Sequence, residues 1–110
     1  MNTKWWFAGL AIVLPLTSYA AAFDVFAHVS ELEPTYVPNN LVLAIDKSAG
    51  ACLAGPWLFY NGAPGSNNLP ENIKAMYAGL MAAMLSGNLI EVTGDDSGCL
   101  VTNIHFLNHP

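Results

Sequence analysis

The stretch 72-NIKAMYAGLMAAMLSGN-88 has a helical pattern and carries no charge beyond Lys74. Its larger apolar residues recur at intervals of three and four, which is the spacing of one helical face. They are Ile73, Tyr77, Leu80 and Met84. A surface helix of a small protein normally has a polar side. The stretch therefore predicts a helix that packs one face in a core, and it raises the question of what covers the other face.

The residues around this stretch mark both ends of the predicted helix. Asn68 can cap the first turn, Pro70 is tolerated there because its missing N–H is not needed, and Glu71 completes a capping-box pattern. Gly87 followed by Asn88 is a stop signal. We therefore expect the helix to begin just after Asn68 and to end at Gly87.

The second face of the predicted helix consists of small residues. They are Ala75, Ala78, Gly79, Ala82 and Ala83, with Met76 and Met81 on the flanks. Small residues let another backbone approach closely. An alanine face in water is the alternative, since it favours the helix at little cost. Because the methionines would then also be exposed, we expect this face to be an interface in a homo-oligomer.

Five strand-like segments surround the helix, three before it and two after it. They are VFAHVSEL (25–32), LVLAID (41–46), WLFY (57–60), LIEVT (89–93) and CLVTNIHFL (99–107). The order β-β-β-α-β-β is that of a five-stranded, OB-like Greek-key barrel in a β-rich α+β fold. A small open sheet packed on one helix has the same order and remains the alternative.

The first 22 residues have the layout of a secretory signal peptide. Lys4 provides the positive end, residues 5–16 are continuously apolar, and small residues follow up to Ala22. A membrane span needs about 20 apolar residues, so we expect no stable membrane insertion after cleavage. Cleavage is predicted after Ala22 or, as the near alternative, after Ala20. Residues 23–110 then form one secreted or periplasmic domain, and an uncleaved anchor is the less favoured reading.

Two cysteines, Cys52 and Cys99, both lie in the predicted mature domain. An even pair in an exported protein favours a disulfide over a metal site or two free thiols. In the chain-entropy account, closing a loop of this length stabilises the fold by about 4 kcal/mol. The sequence therefore predicts a Cys52–Cys99 disulfide that supports a small core.

The charge of the chain argues against polyanionic partners. Its formal net charge is −5, and one of its three basic residues, Lys4, lies in the predicted signal peptide. A negative surface repels polyanions, so we expect no nucleic-acid ligand.

These features together resemble the small OB-fold B subunits of AB5 toxins, especially the subtilase-cytotoxin B type, and small secreted bacterial proteins related to them. The resemblance rests on the exported precursor, the element order, the cysteine pair, and the segments GNLIEVTG (87–94) and CLVTNIHFL (99–107). Members of that family form ring-shaped pentamers whose helices surround a central pore, and they bind cell-surface glycans. The resemblance thus implies a homo-oligomeric subunit that binds a glycan or a surface receptor.

The aromatic run at residues 57–60 contains the candidate ligand contacts. Strand alternation places Trp57 and Phe59 on one face and Leu58 and Tyr60 on the other. A ring with a polar edge suits a sugar or a protein partner. We expect Phe59 to fill the core, and we take Trp57 and Tyr60 as the candidate ligand-binding residues.

No catalytic or metal-binding pattern stands out in the sequence. The G-x-S-x-G and H-E-x-x-H patterns are absent, and His105 and His109 are predicted in a strand and at the chain end, so they should not share a metal. The acidic GDDSG segment (94–98) fits a tight turn better than a calcium loop. We expect a non-catalytic binding subunit without a cofactor. A small periplasmic enzyme, an enzyme inhibitor and a structural component of a surface assembly are the alternatives.

Overall fold

The computed structural model describes residues 22–62 and 69–110, together with Gly9. The predicted signal peptide, apart from Gly9 and Ala22, and the predicted cap Asn68 lie outside the described residues. The described residues form six strands and one helix: β1 (Ala22–Ala27), β2 (Val29–Glu33), β3 (Leu41–Ile45), β4 (Leu58–Tyr60), α1 (Leu69–Ser86), β5 (Ile90–Asp95) and β6 (Leu100–Phe106). The predicted β-rich fold with a single helix between the third and fourth predicted strands is confirmed.

The strands form one mixed sheet in the order β1-β5-β6-β4-β3-β2, which curls into a half-barrel. Neighbouring strands are antiparallel except β4 and β6, which are parallel. The two edge strands, β1 and β2, follow one another directly along the chain. The chain therefore passes from one edge of the sheet to the other at residue 28, which brings the two edges toward each other.

The prediction of one strand over residues 25–32 is wrong, because the chain divides there into β1 and β2. Asp46 holds the break at His28. Its carboxylate accepts a 2.8 Å hydrogen bond from the His28 backbone N–H and lies 3.0 Å from His28 Nδ1. Since that N–H is bonded to a side chain, it is not part of a strand ladder. The sequence shows no glycine or proline at this position to signal the break.

Strand β5 runs two residues further than the predicted segment 89–93, through Gly94 to Asp95. The pairing of β5 with β6 shifts register between Thr93 and Gly94. A side chain at Gly94 would collide with the Leu100 carbonyl oxygen and the Phe23 ring, so only glycine allows this close approach. The turn predicted from GDDSG therefore begins later, and the Asp95 carboxylate accepts a 2.9 Å hydrogen bond from the Ser97 N–H within it.

Helix α1 ends at Ser86, and Gly87 follows with φ = +72°, as the stop signal predicts. Its buried face consists of Ile73, Leu80 and Ala83, with Tyr77 and Met84 partly buried beside them. These residues meet the inward side chains of the sheet in a single core. The largest fully buried members of that core are Leu41, Leu43, Leu58, Tyr60, Ile90, Val92 and Val101 along with the helix residues Ile73 and Leu80.

Within the described part of the chain, α1 is the sole helix, and it does not combine the length and the hydropathy that a membrane span needs.

Candidate functional site

Two exposed aromatic residues lie two positions apart, Phe59 in β4 and Trp57 just before it, and we call them the aromatic patch. Each is 39% exposed. Phe59 pairs with Val42 of β3, and continuing the register by one residue places Trp57 opposite Ala44. Leu58 and Tyr60 point the other way, into the core. The predicted alternation is thus confirmed, but the core position predicted for Phe59 is wrong.

Tyr60, the second candidate ligand contact, is a core residue. It is 2% exposed, and its hydroxyl donates a 2.6 Å hydrogen bond to Asn72 Oδ1 on the helix. Burial raises the pKa of Tyr60, and the bond to Asn72 offsets part of that effect. Because both the ring and the hydroxyl face inward, Tyr60 offers nothing to a ligand at the surface, and Phe59 takes its place beside Trp57.

The aromatic patch rests on small apolar residues of the neighbouring strand. Val42 and Ala44 of β3 are buried, yet neither belongs to the core cluster inside the half-barrel. They are covered on the outer face of the sheet.

Carboxylates border the patch on its β2 side. Glu31 pairs with Ala44 and Glu33 pairs with Val42. The Thr35 hydroxyl and backbone N–H both donate to the Glu33 carboxylate, and these bonds lower the pKa of Glu33. Glu31 is exposed. Aromatic rings therefore meet hydrogen-bond acceptors along one border of this surface.

The predicted disulfide is present and lies next to the patch. Cys52 and Cys99 are bonded, with a Cα–Cα distance of 5.9 Å. Cys99 immediately precedes β6, and its carbonyl oxygen accepts a 3.0 Å hydrogen bond from the Phe59 N–H. The disulfide therefore joins the segment between β3 and β4 to the strand end that positions Phe59.

The small residues of α1 divide between three environments. Ala75, Ala78 and Ala82 are exposed, and with Leu85 they form a row at intervals of three and four that we call the helix stripe. Leu85 is 78% exposed. Gly79 lies against the Phe106 ring, and Ala83 is buried in the core. Ala83, placed by the sequence on the free face, is thus in the core because the buried face is rotated toward it.

A groove of about 380 Å³ separates the end of α1 from the end of β6. Its lining consists of Gly79, Ala82, Ala83, Ser86, Asn88, Phe106 and Leu107, and it contains no charged side chain. We call it the α1–β6 groove. A Cβ on Gly79 would stand 2.6 Å from Phe106 Cε2, so the absence of a side chain at this residue is what lets the Phe106 ring lie against the helix.

A polar cluster that the sequence did not reveal lies on the outer face of β1, β5 and β6. His105 Nδ1 is 2.8 Å from Glu91 Oε1, and Asn103 Nδ2 is 3.5 Å from His105 Nε2. Partial desolvation, followed by the Glu91 carboxylate, raises the pKa of Asp24, and His105 opposes that change. The pairings of Phe26 with Glu91 and of Glu91 with His105 explain the proximity. Strand register, which sequence does not reveal, creates this cluster.

The described residues contain no group of three or more His, Cys, Asp or Glu side chains placed to hold a metal ion. His105 is engaged with Glu91, while His109 contacts the Pro110 carbonyl. The polar cluster has the carboxyl and imidazole groups of acid–base chemistry, but it lies on a sheet face rather than in a cleft. What the described surface offers is contact area of two kinds, aromatic and small apolar.

Comparison with known proteins gives no match. This holds for protein-family models, for curated proteins and for solved structures.

Proposed function

We propose that this protein is an exported, non-catalytic binding subunit that recognises a glycan through the aromatic patch and acts as a homo-oligomer. The observation that carries the proposal is the pair of exposed rings, Phe59 on the outer face of β4 and Trp57 two residues before it, just outside the strand. Residues two apart on a strand are roughly 7 Å from each other, so the two rings form one continuous apolar surface. A sugar ring can lay its C–H face on such a surface.

The surroundings of the patch support a sugar more than a nucleic acid. Glu31 and Glu33 offer carboxylate oxygens at the border of the patch, and sugar hydroxyls donate to such acceptors. The net charge of −5 disfavours a phosphate backbone. A glycan with neutral or amino-substituted sugars is therefore the ligand class that this surface suits best.

The strand order supports an OB-type barrel as the finer description of the fold. If β1 and β2 are counted as two halves of one strand bent at His28, five strands remain, and the helix lies between the third and the fourth. The order then runs from the first half-strand through the fourth, fifth, third and second strands to the second half-strand. This reading agrees with the resemblance to the subtilase-cytotoxin B type, whose members bind glycans on such a barrel.

Export is supported by the predicted signal peptide and by the Cys52–Cys99 disulfide, which is typical of oxidising compartments. Ala22 pairs with Asp95 at the start of β1. Cleavage after Ala20 leaves this pair intact, whereas cleavage after Ala22 removes it. We therefore favour the first position, and mass spectrometry of the exported protein distinguishes the two.

The test is glycan-array binding by the exported, oxidised protein, followed by titration of any glycan found. We expect Trp57→Ala and Phe59→Ala each to weaken binding by at least about 2 kcal/mol, or roughly 30-fold, as is typical of an aromatic anchor. Leu53→Ala is the matched control, because Leu53 is an exposed apolar residue (69%) that precedes the same strand outside the patch. Circular dichroism melting shows whether each variant is folded.

Two results would overturn the glycan proposal. One is that the wild-type protein binds no glycan on an array that covers neutral, sialylated and amino-substituted sugars. The other is that folded Trp57→Ala and Phe59→Ala bind as tightly as the Leu53→Ala control. Binding of a protein receptor that is lost in the same two variants would keep the surface and replace the ligand class.

A further inference from the structure

The two halves of the sheet are joined by a short ladder. Strands β1, β5 and β6 form one half, β4, β3 and β2 form the other, and β4 and β6 meet between them. In the described chain, the pairing of β4 with β6 is the shortest of the sheet, with Phe59 opposite Leu100 and Tyr60 opposite Val101. The connection between the halves therefore depends on few hydrogen bonds.

The Cys52–Cys99 disulfide lies at the start of this ladder. Cys99 immediately precedes β6, and its carbonyl oxygen accepts the hydrogen bond from the Phe59 N–H. Within the described part of the chain, Cys99 is the only residue other than glycine with a positive φ, at +53°. A residue with a side chain is disfavoured in this left-handed conformation. The disulfide therefore helps to hold Cys99 in a backbone conformation that the residue alone would not prefer.

We infer that the disulfide is a redox switch, so that ligand binding at the aromatic patch requires the oxidised protein and a small thiol releases the ligand. The inference rests on the proposed function and adds its regulation. Breaking the S–S bond frees Cys99 to relax to a negative φ, which turns its carbonyl oxygen away from the Phe59 N–H. Strand β4 then separates from β6 while it stays paired with β3.

The aromatic patch is connected directly to the disulfide. Trp57 lies between Cys52 and β4, outside the strand, so its position depends on how the segment before β4 is attached. The disulfide attaches this segment to β6, and the Ala51 N–H donates a 3.2 Å hydrogen bond to the Asp96 carboxylate. Reduction removes the covalent attachment. Trp57 and Phe59 must then be ordered again when a ligand binds, which weakens binding roughly ten-fold.

The release needs a thiol reductant. A thiolate attacks the sulfur of Cys99, which is the more accessible of the two because Cys99 is partly buried whereas Cys52 is only 4% exposed. The S–S bond breaks, and Cys52 leaves as a thiolate that takes up a proton. A second thiol resolves the mixed disulfide. The protein gains two electrons and two protons, and two thiol molecules become one disulfide.

The experiment is amide hydrogen exchange, followed by NMR, of the oxidised protein and of the same protein reduced with dithiothreitol. The Phe59 N–H faces β6, and because the N–H direction alternates along a strand, the Tyr60 N–H faces β3. Tyr60 is therefore a matched reporter within β4. The exchange rate of Phe59 divided by that of Tyr60 should rise at least about ten-fold on reduction, because the left-handed conformation costs roughly that factor. Unfolding of the whole domain exposes both amides and does not raise this ratio.

Two variants without the disulfide test the cause of the release. Cys52→Ser/Cys99→Ser keeps a side chain at residue 99, whereas Cys52→Ser/Cys99→Gly has a residue for which a positive φ costs little. The first variant should show the raised exchange ratio of the reduced protein, and the second should show a ratio roughly ten-fold lower. Neither should respond to dithiothreitol. Equal ratios in the two variants would show that the φ of Cys99 does not drive the release.

Glycan titration measures the consequence for binding. Reduction should weaken binding by wild type roughly ten-fold, and reoxidation should restore it. The inference is overturned if reduction leaves the exchange ratio unchanged, or if the reduced, folded protein binds glycan as tightly as the oxidised protein. A protein that binds no glycan in either state overturns the proposed function instead, while the exchange ratio still decides whether the disulfide controls the β4–β6 ladder.

Discussion

Replacing Gly94 with alanine tests whether the close approach of β5 and β6 shapes the sheet. A Cβ at this position would stand 2.6 Å from Phe23 Cζ, 3.0 Å from Val101 Cα and closer still to the Leu100 carbonyl oxygen. Two of these atoms belong to the backbone of β6, and Phe23 is buried. None of them can move aside without moving the sheet. Overpacking costs about 1–3 kcal/mol, and we expect a loss near the upper end, about 3 kcal/mol.

Gly98→Ala is the matched control, four residues along the same β5–β6 connection. A Cβ on Gly98 meets nothing within 4 Å, but its φ of +74° lies in the left-handed region. The control therefore pays the conformational cost alone, about 1 kcal/mol. Gly94 has no positive φ, so its substitution isolates the steric cost.

Thermal unfolding followed by fluorescence measures the difference, because Trp57 is the single tryptophan between residues 23 and 110. For a domain of this size, each kcal/mol lowers the melting temperature by about 4–8 °C. Gly94→Ala should therefore melt about 12–24 °C below wild type, and Gly98→Ala about 4–8 °C below it. If Gly94→Ala loses no more than Gly98→Ala, the tight β5–β6 contact is not what requires glycine at residue 94.

Two further substitutions test the core tyrosine and the strand break. Tyr60→Phe removes a part-buried hydrogen bond and should lower the free energy of unfolding in urea by about 1 kcal/mol. Because Tyr60 lies in the core, glycan binding should not change, and a loss of binding in this variant would contradict that position. Desolvation opposes ionisation of Asp46, but hydrogen bonds from His28 outweigh it and lower the pKa of Asp46 below 3.8. The ionised Asp46 carboxylate therefore contributes its full share of the folding free energy when the pH is above the ordinary pKa of 3.8. That contribution is lost as the pH falls through the lowered pKa of the folded state. Below about pH 4, the melting temperature of wild type should fall more steeply than that of Asp46→Asn, and parallel curves would show that the His28 contact adds no stability.

Local patterns predicted the helix and the disulfide because each depends on residues close in sequence or on residue type. The spacing of Ile73 and Leu80 and the glycine at residue 87 are sufficient to place α1. The pairing of Cys52 with Cys99 followed from there being two cysteines in a chain that is predicted to be exported. In contrast, the division at His28 depends on Asp46, which lies eighteen residues away and which no local signal connects to it.

The aromatic run shows where sequence reasoning stops and why. Alternation correctly separates Trp57 and Phe59 from Leu58 and Tyr60, but it is symmetric and does not say which pair faces inward. The rings of Tyr60 and Phe59 are nearly equal in apolar area, so the gain from burying apolar surface does not by itself decide which of the two faces the core. The register of the strand in the sheet sets which pair is buried, and the inward tyrosine then needs a partner for its hydroxyl, because leaving it unpaired in the core costs about 1–3 kcal/mol.

Asn72 supplies that partner from the first turns of α1. With Tyr60 satisfied inside, Phe59 must face outward beside Trp57, and the outward pair is what creates the aromatic patch. An Asn72→Ala variant removes the acceptor and leaves the Tyr60 hydroxyl unpaired in the core, so urea unfolding should show a loss of about 1–3 kcal/mol. The aromatic patch should persist in this variant, because the register of β4 in the sheet, and not this hydrogen bond, keeps Phe59 on the outer face.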